Sequence, residues 1–116
     1  MSSELQSLTD ALRAFARERD WEQFHSPKNL ACALSVEAAE LLEHFQWLSE
    51  EQSRALDADK RAAVAAEAAD VLLYLLQLCD KLGIDLVRAA RQKLARNAEK
   101  YPVERSRGSS RKYTEI

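Results

Sequence analysis

Apolar residues recur at intervals of three and four along most of this 116-residue chain. This spacing is typical of amphipathic helices, and it predicts four long ones, over about residues 4–19, 27–48, 59–82 and 86–100. Residues that begin or end helices stand at these boundaries: Ser26-Pro27, Gly83 and Asp85. The pattern therefore predicts an all-α protein with a single domain over residues 1–116 and a polar, irregular tail from about residue 103.

The third predicted helix is apolar on most of its circumference after Val71, through the run from Leu72 to Leu78. A helix that is apolar nearly all round is buried on all sides. Four helices of one short chain cannot cover that much apolar surface, so we expect a homo-oligomer, most simply a tetramer.

Two pairs of carboxylates interrupt the apolar stripes. Glu37 and Glu40 stand three residues apart in the second helix, and Glu67 and Asp70 repeat this spacing in the third. Positions i and i+3 share a helix face. If the second helix ends near residue 48 and the third begins near residue 59, Glu40 and Glu67 both lie about 12 Å from the turn, at 1.5 Å per residue. An antiparallel hairpin would then bring all four carboxylates together.

Converging carboxylates need a cation, because two of them about 4 Å apart repel by roughly 4 kcal/mol at an effective dielectric constant near 20. An all-oxygen, all-acidic set selects a hard ion, Mg²⁺, with Mn²⁺ as a possible substitute. The alternative is that these acids are ordinary solvated residues on long helices. Their place within apolar stripes, at matching depth in the hairpin, favours the metal site.

A polar group on the fourth helix is a candidate for contacts to phosphate. Lys93, Asn97 and Lys100 fall on one helix face, and Tyr101 follows them. Lysine offers a point charge to phosphate and asparagine offers oriented donors. Taken alone, this face would be interpreted as solvent-exposed.

An aromatic group is a candidate for contacts to a nucleotide base. It consists of Trp21, Phe24, His25, Trp47 and Tyr74. Trp47 follows Glu40 by seven residues, so we expect it two helical turns beyond Glu40 on the same face. Aromatic rings stack on bases of any identity. The alternatives are that the tryptophans belong to the core and that His25 only forms hydrogen bonds in its loop.

Composition excludes several classes of protein. The net charge of −2 argues against a surface that coats nucleic acid, and two glycines are too few for a glycine-rich phosphate loop. No uninterrupted apolar run reaches eighteen residues, so we expect no membrane span. The start of the chain lacks the features of a signal peptide, and Cys32 and Cys79 are interpreted as buried small hydrophobes. A cytoplasmic location is expected.

The chain resembles the all-α NTP pyrophosphatases, the MazG-like superfamily, and more narrowly their dCTP pyrophosphatase branch. The resemblance covers nearly the whole chain and begins with the two acidic pairs, Glu37-x-x-Glu40 and Glu67-x-x-Asp70. It extends over separate segments: Arg19-Asp20-Trp21-Glu22-Gln23-Phe24-His25, Phe45-Gln46-Trp47, Asp70-Val71-Leu72-x-Tyr74-Leu75, Lys93, Asn97, Tyr101-Pro102 and Ser110-Arg111-Lys112-Tyr113-Thr114-Glu115.

The resemblance implies a four-helix bundle assembled as a dimer of dimers. It implies Mg²⁺-dependent hydrolysis of a deoxynucleoside triphosphate, dCTP or 5-modified dCTP, to the monophosphate and pyrophosphate, in sanitation of the nucleotide pool. The acidic pairs match metal ligands with a catalytic role. The other matches are to contacts with base and sugar (Trp21, Trp47 and Tyr74) and with phosphate (Lys93 and Asn97). One position departs from the branch: Leu12 stands where animal members carry histidine.

Two alternatives remain open at the level of sequence. The same chemistry could act on other substrates, such as dUTP or a broader set of nucleoside triphosphates. The protein could also be a non-catalytic helical oligomerisation module whose acids hold Mg²⁺ structurally. The phosphate-binding pattern of Lys93 and Asn97 argues against this second alternative.

Overall fold

A computed structural model describes residues 3–116, and all regular structure in that range is helical. This confirms the all-α prediction. The four long helices are α1 (Ser3–Glu18), α2 (Pro27–Glu43), α4 (Ala58–Leu82) and α5 (Leu86–Lys100). Two short helices and two 3₁₀ turns connect or follow them: α3 (Glu50–Ser53), α6 (Val103–Ser106), Glu22–Phe24 and Tyr113–Glu115.

Residues that favour helix boundaries stand where α2 begins and where α4 begins and ends. The Ser26 side chain accepts a hydrogen bond from the Asn29 amide, with Pro27 as the first helical residue of α2. Asp57 caps α4 in the same way, by accepting from the Lys60 amide. Gly83 closes α4 with a φ of +65°, the left-handed conformation that glycine adopts at little cost.

The second helix is shorter than the sequence pattern predicts. It ends at Glu43, whereas the apolar period continues to Leu48. The next residues form tight turns, with the Phe45 amide donating to the Leu42 carbonyl at 2.8 Å. Ser49 then begins α3 with a reciprocal capping box. The prediction that Trp47 lies two helical turns beyond Glu40 on the same face is therefore wrong.

The tail after residue 103 is more ordered than predicted. Pro102 ends α5 but also begins α6, since its carbonyl accepts from the amides of Arg105 and Ser106 at 3.0 Å. The Tyr113 ring then packs edge-on against Tyr101, with 6.0 Å between ring centroids. The tail thus folds back on the end of α5.

The chain divides into two compact units, residues 3–84 and residues 85–116, and each is described by itself. In the first unit, α4 packs against both α2 and α1. Its buried core contains Ala16, Leu30, Leu76 and Cys79. Cys32 is exposed, which corrects the expectation that both cysteines are buried.

An ion pair joins α1 to α4 in this unit. The Arg13 Nε donates to Asp80 Oδ2 at 2.8 Å, and Arg13 Nη2 donates to the other carboxylate oxygen. This contact holds the pKa of Asp80 below its usual value and raises the pKa of Arg13. The pair fixes the position of α1 across α4.

Helix α4 is long and apolar enough to cross a membrane by length and composition, contrary to the expectation from the sequence. The mean hydropathy of its most apolar window is 1.6, and only 11% of that window is buried. The same helix carries Glu67 and Asp70, and carboxylates are expensive within a bilayer. In the part of the chain that the structure describes, a large apolar surface on α4 is thus left uncovered.

Candidate metal and nucleotide site

Three of the four predicted carboxylates meet where α2 and α4 pack together. Ligand oxygens of Glu37, Glu67 and Asp70 all lie within 4.8 Å of one another. Glu40 is outside this group of three, but its carboxyl group lies close enough to Glu37 to raise the pKa of that residue. The helical spacing of each acidic pair and the pairing of α2 with α4 produce this convergence.

The environment of Glu37 disfavours its charged form. Partial burial is the largest cause, followed by its hydrogen bond to Glu40 and the negative charge of that neighbour. Together with a hydrogen bond to Glu67 and the charge of Asp70, these raise the pKa of Glu37 to about 7. The carboxylates thus repel one another.

The residues present fit a divalent cation. Among the described residues, Glu37 Oε2 and Glu67 Oε2 are buried and have no hydrogen-bond partner. Buried polar atoms normally have a hydrogen-bond partner, so these two unpaired oxygens indicate a place where a ligand can bind. A set of carboxylate oxygens with no sulfur or imidazole is the donor set of a hard cation. Glu37, Glu67 and Asp70 are the residues that would hold it.

The raised pKa of Glu37 predicts how stability depends on pH without metal. The folded protein binds the Glu37 proton more tightly than the unfolded chain does, and this difference stabilises the folded state. The stabilisation by the bound proton is complete below about pH 4.5 and is lost as the pH rises through about 7. We therefore expect the melting temperature in chelator to fall over this range more steeply for the wild type than for Glu37→Gln. Parallel curves for the two proteins would show that Glu37 titrates normally.

An apolar cleft of about 360 Å³ opens beside the carboxylates. Helix α1, the loop after it and α4 form its walls. The lining residues are Leu8, Ala11, Leu12, Phe15, Trp21, His25, Asp70, Leu73, Tyr74 and Gln77. Because Asp70 belongs to both the cleft and the acidic cluster, the two form one continuous site.

The turn after α1 places Trp21 at this cleft. Asp20 adopts a positive φ of 55°, which aspartate tolerates better than most residues. The Trp21 amide then donates to the carbonyl of buried Ala16 at 2.9 Å. Phe15 and His25 flank the Trp21 ring edge-on, at centroid distances of 5.7 and 6.4 Å. The result is an aromatic wall that remains partly open to solvent.

Three of the five residues of the aromatic group, Trp21, His25 and Tyr74, line this cleft, and Phe24 does not. Trp47 does not: it lies in the turns after α2, and its side chain is 87% exposed. It is therefore not a core residue of its own chain, and its contact with a base stays a prediction.

The predicted phosphate-binding residues lie in the second unit. Lys93, Asn97 and Lys100 are on α5, and Tyr101 follows its last residue. The Lys100 ammonium lies 4.9 Å from the centroid of the Tyr113 ring. Their role toward the phosphates stays a prediction.

The sequence patterns did not indicate several residues that line the cleft. Leu8 and Phe15 belong to the apolar stripe of α1 but are 39% and 47% exposed, because the stripe faces the cleft as well as the core. Gln77 is a polar residue within the apolar run of α4, seven positions after Asp70. That spacing places Gln77 on the face of Asp70, which is the signal that would have identified it.

This fold and site define an all-helical protein with a cluster of carboxylates that adjoins an apolar cleft. The sequence model of the MazG-like family matches residues 32–116. The chain belongs to the MazG-like family.

Individual relatives agree with this assignment. The chain is 48% identical to dCTP pyrophosphatase 1 of Rattus norvegicus and 45% identical to the protein of that name from Homo sapiens, over 104 residues in each case. These matches cover 88% of this chain and 61% of each relative, so the chain spans less than two thirds of their length.

A solved structure shares the fold. The crystal structure of a pyrophosphatase from Archaeoglobus fulgidus DSM 4304 superposes with a TM-score of 0.81 at 42% sequence identity. The match covers 88% of this chain and 95% of the archaeal one.

Proposed function

We propose that this protein is a Mg²⁺-dependent nucleotide pyrophosphohydrolase that converts dCTP or a 5-modified dCTP to the monophosphate and pyrophosphate. The observation that carries the proposal is the continuity of the acidic cluster with the apolar cleft through Asp70. A cation site next to an aromatic-walled cleft suits a nucleotide with metal-bound phosphates and a stacked base. The names of the relatives support pyrophosphate release, and their dCTP activity supports the choice of base.

Each group has a defined task in this mechanism. When bound, Mg²⁺ neutralises phosphate charge and lowers the pKa of a bound water. Glu37, Glu67 and Asp70 would hold the cation, and Mn²⁺ is a possible substitute. Glu40, which neighbours Glu37 and lies outside the group of three, is the candidate to accept the proton of the attacking water.

The remaining predicted residues bind the substrate. Trp21 and Tyr74 form aromatic walls for the base and sugar, and His25 supports the Trp21 ring. On α5, Lys93 and Asn97 are proposed to contact phosphates, with Lys100 and Tyr101 beside them. Lys93 would stabilise charge on the leaving pyrophosphate.

The proposed assembly is a homotetramer, a dimer of dimers, in the cytoplasm, where the enzyme would remove unwanted deoxynucleotides from the pool. The uncovered apolar surface of α4 supports self-association. No nucleic acid or membrane partner is proposed.

The direct test is a panel of common and modified nucleoside triphosphates, with and without millimolar Mg²⁺. We expect dCTP and 5-methyl-dCTP to yield pyrophosphate, detected as orthophosphate only after an inorganic pyrophosphatase is added. Orthophosphate without that added enzyme would refute the proposed bond cleavage. If no nucleotide is hydrolysed while Mg²⁺ still raises the melting temperature, the acids hold a structural ion instead.

Truncation of the two tryptophans tests where the base binds. We expect Trp21→Ala to raise KM by about fivefold to a hundredfold, since stacking is worth about 1–3 kcal/mol per base. The Mg²⁺ concentration for half-maximal activity should not change, because the indole offers no oxygen to the ion. Trp47→Ala should also raise KM, and because Trp47 is 87% exposed in its own chain, the melting temperature of the subunit should hardly change. Normal nucleotide binding by both folded variants would mean that the base lies elsewhere.

A further inference from the structure

Gln77 is a neutral amide on the wall of an otherwise largely apolar cleft. It stands seven residues, about two helical turns, beyond Asp70, and therefore about 10 Å farther along the same face of α4. Since Asp70 belongs to the cation cluster, this displacement runs from the proposed phosphate end of the site toward the proposed base end. Gln77 is thus positioned to meet a base rather than a phosphate.

Hydrogen bonding fixes which atom Gln77 presents. Its Nε2 donates one hydrogen to the Leu73 carbonyl at 3.2 Å, which orients the amide and leaves Oε1 as its available acceptor. Within residues 3–116, no donor forms a hydrogen bond with this Oε1. The atom is not fully buried, so a ligand can reach it. Gln77 also borders a second pocket of about 20 Å³, which has room for a single water. This second pocket is too small for a base, so a base would meet Gln77 in the larger cleft.

We propose that Gln77 is the specificity-determining residue that selects pyrimidines with an exocyclic amine, by accepting a hydrogen bond from the 4-amino group of cytosine. This inference rests on the proposed function. Uracil and thymine present a carbonyl oxygen at the same position, so their lone pairs would oppose those of Oε1. Leu8, Leu12 and Phe15 on the α1 wall offer no hydrogen bond in exchange. The cleft thus rejects a 4-keto pyrimidine by leaving polar atoms unpaired.

The test compares dCTP with dUTP, whose base carries a carbonyl oxygen in place of the 4-amino group and a proton on N3. Gln77→Met removes the acceptor while keeping an unbranched side chain of similar length. We expect the ratio of kcat/KM for dCTP to that for dUTP to fall by about tenfold to a hundredfold, the range for leaving a polar partner unsatisfied. The loss should appear mainly as a higher KM for dCTP.

Two further variants serve as controls. Gln77→Glu keeps an acceptor oxygen and should preserve the preference for dCTP, even if the added charge lowers both rates. Gln6→Met makes the matched substitution on α1, where Gln6 bonds to Asp10 and does not line the cleft, so it should leave the ratio unchanged.

The outcomes separate this inference from the proposed function. If the wild type hydrolyses no nucleotide, the proposed function fails. If the wild type hydrolyses nucleotides but shows no preference for dCTP, or if Gln77→Met lowers both rates equally, the assignment of Gln77 alone is overturned. If Gln77→Met does not fold, Gln77→Glu provides the test instead. Loss of the preference for dCTP over dUTP in Gln77→Glu would then overturn the assignment of Gln77.

Discussion

Glu67→Gln should lower turnover by more than about a hundredfold while the metal-free protein keeps or gains thermal stability. Even the outer-shell partners of metal ligands cost about 10- to 100-fold when they are mutated, so loss of a direct ligand should cost more. Thermal stability should hold because the substitution removes one charge from a cluster of carboxylates that repel one another. Two oxygens of this cluster, Glu37 Oε2 and Glu67 Oε2, are buried without a hydrogen-bond partner. Steady-state kinetics and thermal melts in chelator, on the same preparation, measure both effects.

Glu43→Gln is the matched control for this prediction, since Glu43 is an exposed residue at the end of α2. Its turnover and its response to Mg²⁺ should match those of the wild type. The same loss of activity is expected for Asp70→Asn. A large fall in the melting temperature of Glu67→Gln without metal would mark the cluster as structural and count against a cation site.

Leu42→Glu should convert the assembly to smaller species at micromolar concentration. Leu42 lies on α2 and is 61% exposed, so its apolar side chain is available to a second copy at the proposed interface. A symmetric assembly would bury the new charge at every copy of the interface, and an unpaired buried charge costs several kcal/mol. Light scattering should give about four times 13.1 kDa for the wild type and a lower mass for the variant.

Lys28→Glu is the control for Leu42→Glu, because it places a glutamate at an exposed, charged position near the start of α2. It should leave the mass of the assembly unchanged. A wild type that remains monomeric at micromolar concentration would refute the proposed self-association. A tetrameric Leu42→Glu would show instead that the interface lies away from Leu42.

Helical periodicity was sufficient to predict that Glu37, Glu67 and Asp70 meet. The i, i+3 spacing fixes a face, and helices that follow one another in the chain usually pack together. The end of α2 was mispredicted because Phe45 and Leu48 continue the apolar period, while the capping box of Ser49 and Gln52 decides where a new helix begins. A local hydrogen bond here outweighed a longer apolar pattern.

The cleft was harder to predict because it depends on tertiary placement. Trp21 reaches it through the left-handed turn at Asp20, and nothing in the apolar pattern specifies the direction in which the chain leaves that turn. Leu8 and Phe15 have the same spacing as core residues, so periodicity alone cannot distinguish a core stripe from the wall of a binding site.

The two parts of the site share α4 but differ in their second helix. The carboxylates belong to α2 and α4, whereas α1 and its turn supply Leu8, Leu12, Phe15 and Trp21 to the wall of the cleft. Substitutions in α1 can therefore reshape the cleft without replacing an acidic residue. Under the proposed function, evolution could change the preferred nucleotide while the acidic residues stay the same, and a directed-evolution library for new substrates would vary α1 together with position 77.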